Sequence, residues 1–281
     1  MNLYSMSAFV SMLCYALGSV GTFCGVPGGR RPILNLCRMF TWAGFAIHTL
    51  IIVGIVLTHG PDELSKGYFV QLLAWSILLI YFIGWRWLKS SFLSMTAAPL
   101  ALLLFILSFK LSPAGGHLPS KLMELFFALH IGPMFVSLGL LTMAFGAALL
   151  FLRMERKIKS KLRFSEFDQE LPALDAFDRV NHKCVLFGFP LYTLGIAAGF
   201  VWAPLTWGNE VSWSAEAWDP KEIVSLLVWF LYAVLFHMRL IKNWRGRKAA
   251  LMAILIFAVS VFSLVVVNFC LSTHHSFNLT A

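Results

Sequence analysis

The sequence predicts an all-α polytopic membrane protein, a bundle of about eight transmembrane helices with both termini on the outer side. Three observations lead there. Charged residues are only 12% of the chain and hydrophobic ones 59%, whereas a soluble domain averages about 25% charged; mean hydropathy is +0.79. The apolar residues gather into eight runs of roughly 20, the length a helix needs to cross the hydrocarbon. Lys and Arg alternate in density from one connecting loop to the next.

The spans are expected at about 4–25, 39–58, 68–85, 92–109, 125–152, 184–203, 223–241 and 249–270. The first has no basic stretch before it and no clear cleavage site, so it reads as a retained helix, not a signal peptide. The fifth is long and is expected to project beyond the bilayer. Pro99, Pro133 and Pro190 fall inside spans, where neighbouring helices tolerate a kink. No repeat or low-complexity tract divides the chain. Residues 1–281 form a single membrane domain, with four helices in 1–110 and a core in 111–281 that carries an external loop at 202–222.

Orientation follows from the basic residues. Of 22 Lys and Arg, only Lys66, Lys110, Lys121 and Lys221 fall on one side; the other 18 crowd the alternate loops. The crowded side faces the cytoplasm by the positive-inside rule. The same rule explains the formal charge of +9, and no nucleic-acid-binding motif accompanies it. The longest polar stretch, 153–183, is basic and then acidic; it reads either as a solvated loop or as a short helix on the inner leaflet.

The stretch 202–222, VWAPLTWGNEVSWSAEAWDPKE, is the most distinctive. Four of the ten tryptophans fall in it: Trp202, Trp207, Trp213 and Trp218. Tryptophan suits a membrane–water boundary, so an aromatic belt is one reading. Four in one short connection also make a flat π-rich surface suited to a large planar ligand. Trp202 reads as a belt residue, and Trp207, Trp213 and Trp218 as the platform. Asp219 precedes Pro220 as a helix cap precedes a first-turn proline; a carboxylate that docks substrate is the other reading.

The histidines sort by compartment. His48 and His237 lie within the second and seventh spans, where an ionisable residue marks either a functional site or an interhelical hydrogen bond. His130, near the outer end of the fifth span, and His275, after the eighth, share the side of the Trp-rich loop. His274 rivals His275. Two imidazoles beside an aromatic platform suit the axial positions of a haem better than a tetrahedral zinc site. The five cysteines, Cys14, Cys24, Cys37, Cys184 and Cys270, form no CxxC pair and mostly read as small buried hydrophobes.

The residues Trp207-Gly208, Trp213 and Trp218-Asp219-Pro220-Lys221-Glu222 resemble the WWD signature of the CcsA/ResC (CcmC-like) cytochrome c assembly proteins. So do the preceding GFPLYTLGIAAGFVWA, the helix ending LLVWFLYAVLFHMR and the terminal His275-Ser276-Phe277. The resemblance implies a protein that binds haem b at the external loop through His130 and His275 and presents it to apocytochrome c, whose cysteine thiols add to the haem vinyl groups. It places His237 at a second, inner haem site, with His48 proposed as its partner. It also implies a ResB/CcsB-like membrane subunit, a subunit role in a cytochrome c synthase, and an inner-membrane location. The extra residues NEVSWSAEA, Glu222-Ile223-Val224 after the lysine, and Ser272-Thr273-His274-His275 depart from the pattern and fit a short HemX-like or YpjD-like member. Two further functions are therefore carried: a membrane regulator of haem synthesis, and a proton-coupled transporter using the histidines as relays.

Overall fold

In the absence of water, a chain crossing lipid must satisfy its backbone internally, and helices do so. The computed structural model of the chain describes residues 3–25, 31–59, 66–88, 93–109, 125–164, 168–169, 171–207 and 220–264. Eight helices carry them: α1 Leu3–Gly25, α2 Arg31–His59, α3 Lys66–Leu88, α4 Ser94–Ser108, α5 Gly132–Lys159, α6 Leu174–Trp207, α7 Pro220–Ile241 and α8 Arg247–Phe262. A π-helical turn, Phe127–Ile131, leads into α5. Among the described residues, six helices are long and apolar enough to cross a membrane; α4 and α8, with 15 and 16 residues described, are shorter. The chain is a multi-pass membrane protein.

Helix α5 is the centre, packed by α3, α4, α6 and α8, while α7 lies against α6 and α8. Its Leu141, Ala144 and Ala147 meet Leu73, Ile77 and Leu78 of α3, Ala97 and Ala101 of α4, and Ala253 and Ile256 of α8 in one buried cluster. Alanine is frequent there because packing between helices in lipid rests on close backbone approach. The same device joins α1 to α2: side chains at Gly18 and Gly21 would strike Thr41 and Cys37, and one at Gly44 would lie 2.8 Å from the Tyr15 ring. Hydroxyls return to their own helix, as Thr22 does to the Gly18 carbonyl at 2.7 Å and Ser260 to that of Ile256 at 2.8 Å. Large apolar side chains such as Leu50, Leu57, Phe187 and Val201 point outward.

Two boundaries differ from the sequence expectation. Helix α2 begins at Arg31, not near 39, because Arg38 is accommodated: its guanidinium lies 5.0 Å from the Trp85 ring centroid and donates to Asn35 at 3.1 Å. The stretch 153–183 is neither a loop throughout nor a leaflet helix. Helix α5 continues to Lys159 and α6 begins at Leu174, so most of the stretch extends two long helices. Asp168, its side chain fully buried in the connection, pairs with Arg153 at 3.1 Å and with Lys157. Pro99, Pro133 and Pro190 all lie inside spans as expected, Pro133 directly after the π turn in the first turn of α5.

Candidate functional site

The π turn at Phe127–Ile131 has a local cause. Pro133 lacks the N–H that the Leu129 carbonyl would accept in an α-helix, and its ring crowds that carbonyl. The widened turn absorbs both, and turns of this kind concentrate at functional sites. Within it sits His130, half-buried, with Nδ1 2.6 Å from the carbonyl oxygen of Gly195 on α6. A carbonyl only accepts, so Nδ1 carries the hydrogen and the neutral ring holds its lone pair on Nε2. The ring lies over Gly199, where a Cβ would come within 2.7 Å of Cε1 and 2.8 Å of Nδ1.

This bond is one rung of a ladder. Asn181 donates to the Ala144 carbonyl at 3.0 Å, Ser137 donates to that of Gly188 at 2.8 Å, and His130 donates to that of Gly195. The rungs step by one heptad along each of two antiparallel helices, the spacing that keeps one seam facing its partner. Beside the top rung, the Phe126 ring packs tilted against His130 at 4.9 Å and 30°, and against Trp202 at 4.9 Å and 32°.

Trp202 packs against Phe126, which also packs against His130. Trp207 ends α6 and Pro220 opens α7, so the chain leaves for the Trp-rich connection, and returns from it, at the end of the bundle that holds His130. Trp213, Trp218, Asp219 and His275 lie outside the described residues. The start of α7 at Pro220 matches the position expected of a first-turn proline.

His237 is 17 residues into α7, about 25 Å along the helix from Pro220. Its Nδ1 donates to the Ala233 carbonyl at 2.8 Å, which again assigns the lone pair to Nε2. The ring is exposed on the outside of the bundle, edge-on to Phe189 at 6.3 Å and Phe236 at 5.5 Å. Two residues on, Arg239 turns inward and is 5% exposed. It does not snorkel: it donates to Asp178 at 3.1 Å and Asn181 at 2.5 Å, and Asp178 also accepts the Gly246 N–H at 2.9 Å.

His48 is in a different setting. It is fully buried, with Nδ1 3.1 Å from the Tyr15 hydroxyl and the Phe105 ring 4.5 Å away edge-on. Its Nε2 has no hydrogen-bond partner among the described residues. Its neighbours come from α1 and α4, whereas those of His237 come from α6 and α7 itself. The structure does not bring the two together.

What sequence reading missed around His130 is Phe126, Gly195 and Gly199. The signal was present: Gly195 and Gly199 are a GxxxG pair, the spacing at which one helix admits a close neighbour, and Trp202 follows one turn later.

The structure thus defines a multi-pass membrane protein with a histidine held beside aromatic rings at the end of the bundle where the chain enters a Trp-rich connection. Residues 64–275 match the sequence model of the family described as Cytochrome C assembly protein, and the chain belongs to that family. It is 28% identical to the cytochrome c biogenesis protein CcsA of Pyropia yezoensis, over 84% of this chain and 86% of that one. Against the proteins of the same name from Guillardia theta and Synechococcus elongatus it is 26% identical, over 98% and 92% of this chain and 94% and 93% of theirs. Membership carries a role in cytochrome c biogenesis.

Proposed function

We propose that this protein receives haem b within the membrane and presents it, on the outer side of the inner (cytoplasmic) membrane, to apocytochrome c. The observation that carries the reading is the His130 geometry: Nδ1–H held by the Gly195 carbonyl, with its lone pair on Nε2, beside the tilted rings of Phe126 and Trp202, where α6 runs into the Trp-rich connection. That donor atom is the one an axial imidazole uses. His275 supplies the opposing imidazole, and Trp207, Trp213 and Trp218 cover the macrocycle faces. Asp219, which directly precedes Pro220 in the sequence, is proposed as the N-cap of α7.

Haem supplies the vinyl carbons to which the apocytochrome's cysteine thiols add. The chain's own contribution is to hold and orient its cargo, which lowers a barrier by several kcal/mol without a covalent nucleophile. The inner contact falls to His237, whose outward-facing ring is accessible from lipid. The enclosure of His48 by Tyr15 and Phe105 supports leaving it out of direct contact with a macrocycle. A ResB/CcsB-like subunit completes the synthase.

The test is the spectrum of protein purified with ample haem, for wild type and for His130→Ala and His275→Ala. A bis-imidazole spectrum weakened by each substitution, with c-type cytochromes lost on deletion, supports the reading. Protein that carries no haem refutes it. Bound haem with c-type cytochromes intact after deletion favours the HemX-like regulator.

A further inference from the structure

The lower two rungs of the α5–α6 ladder, Asn181 with Ala144 and Ser137 with Gly188, join regular α-helix to regular α-helix. The third rung, at His130, lies within the π turn. A π turn holds one residue more than an α turn, so it rotates everything before it by about 100° and displaces it by about 1.5 Å relative to a continuous α-helix. The body of α5 is fixed by its buried Leu141, Ala144 and Ala147. His130 is part of that turn, so its setting against Gly195 depends on how the turn itself is wound.

The other side of the contact is equally constrained. The Gly195 carbonyl accepts the His130 Nδ1–H only because Gly199, one turn later on α6, leaves the space the imidazole fills. A Cβ at Gly195 would strike Met134 and lie 3.2 Å from the His130 carbonyl oxygen.

We infer that Pro133 and Gly199 are positioning residues for the outer haem ligand: Pro133 holds the π turn that aims His130, and Gly199 provides the cradle that locks its tautomer. This rests on the reading of His130 as a haem ligand. Neither residue touches haem. They act through the hydrogen bond that orients the imidazole and raises its basicity, as outer-shell partners do at metal sites.

The experiment compares haem-loaded wild type with Pro133→Ala, Gly199→Ala, His130→Ala and Gly54→Ala. Position 54 is a control, since a Cβ there meets nothing within 4 Å. The readouts are haem affinity, the ferric low-spin signal, and its recovery on adding imidazole. Pro133→Ala and Gly199→Ala are expected to weaken haem binding about 10- to 100-fold and to lose the low-spin signal. Added imidazole restores it, as in His130→Ala, while Gly54→Ala matches wild type. Recovery with imidazole requires an otherwise intact site, so a variant that has merely collapsed is not rescued, and collapse without rescue in both variants overturns the inference. If His130→Ala alters the signal and the folded Pro133 and Gly199 variants do not, this inference alone fails. If His130→Ala changes nothing, the ligand reading fails and the inference falls with it.

Discussion

Arg239 on α7 and Asp178 on α6 meet at 3.1 Å with side chains 3% and 12% exposed, and Asp178 accepts the Gly246 N–H with the same oxygen. One carboxylate thus ties α6, α7 and the start of α8 together. Arg239→Ala leaves that carboxylate buried without its cation, a loss of about 3–5 kcal/mol for such pairs. The measurement is thermal unfolding in detergent. Replacing both residues, Arg239→Met with Asp178→Leu, is expected to recover part of the loss; a double variant less stable than Arg239→Ala contradicts this account.

Gly188 faces Tyr232 across the α6–α7 contact, and a Cβ at Gly188 would collide with the Tyr232 hydroxyl, not its ring carbons first. Gly188→Ala is expected to destabilise by about 1–3 kcal/mol, the usual cost of overpacking. Tyr232→Phe in the same chain is expected to relieve most of it. Equal unfolding temperatures for Gly188→Ala with and without Tyr232→Phe would count against a hydroxyl clash.

Asp168 holds Arg153 and Lys157 from the connection between α5 and α6. Asp168→Ala removes a buried anion from between two cations and frees the connection. Trypsin, which cuts after Lys and Arg, is expected to cleave detergent-solubilised protein at Lys159, Lys161 or Arg163 faster than in wild type. Unchanged cleavage kinetics would show that the pairing does not restrain this segment.

His237 and His48 are expected to separate in a haem-loading assay. His237→Ala lowers the haem recovered with the His130→Ala background protein, in which the outer site is already disabled. His48→Leu in that background leaves it unaltered. Loss of haem with His48→Leu, in protein that remains monodisperse, would restore His48 to the inner site.

Much of the bundle was legible because lipid imposes a single rule, roughly 20 apolar residues per crossing, and each of the eight expected spans overlaps a helix among the described residues. The rule fails at the ends. Arg38, Asp178 and Asn181 lower the local hydropathy, and only the structure reveals the Trp85 ring, Arg239 and the Ala144 carbonyl that make them compatible with helix. At the site, the type and side of His130 were legible, but not its setting. The π turn depends on how Pro133 resolves a lost hydrogen bond, and the Gly195 contact depends on the register of two helices, neither of which a periodicity reports. His48 illustrates the converse. Its place in a span was read correctly, yet depth alone does not distinguish a ring facing outward, like that of His237, from one enclosed by Tyr15 and Phe105.

Helix α6 has 34 residues, about 50 Å of continuous helix against about 30 Å of hydrocarbon. It carries Asp178 and Asn181, which hold α7 next to His237, and Gly195 and Gly199, which hold His130. The spacing of His130 and His237 is therefore measured along one rod and belongs to the protein, not to the bilayer. A thinner or thicker membrane is met by tilting that rod, so the spacing of the two histidines stays constant while lipid composition varies.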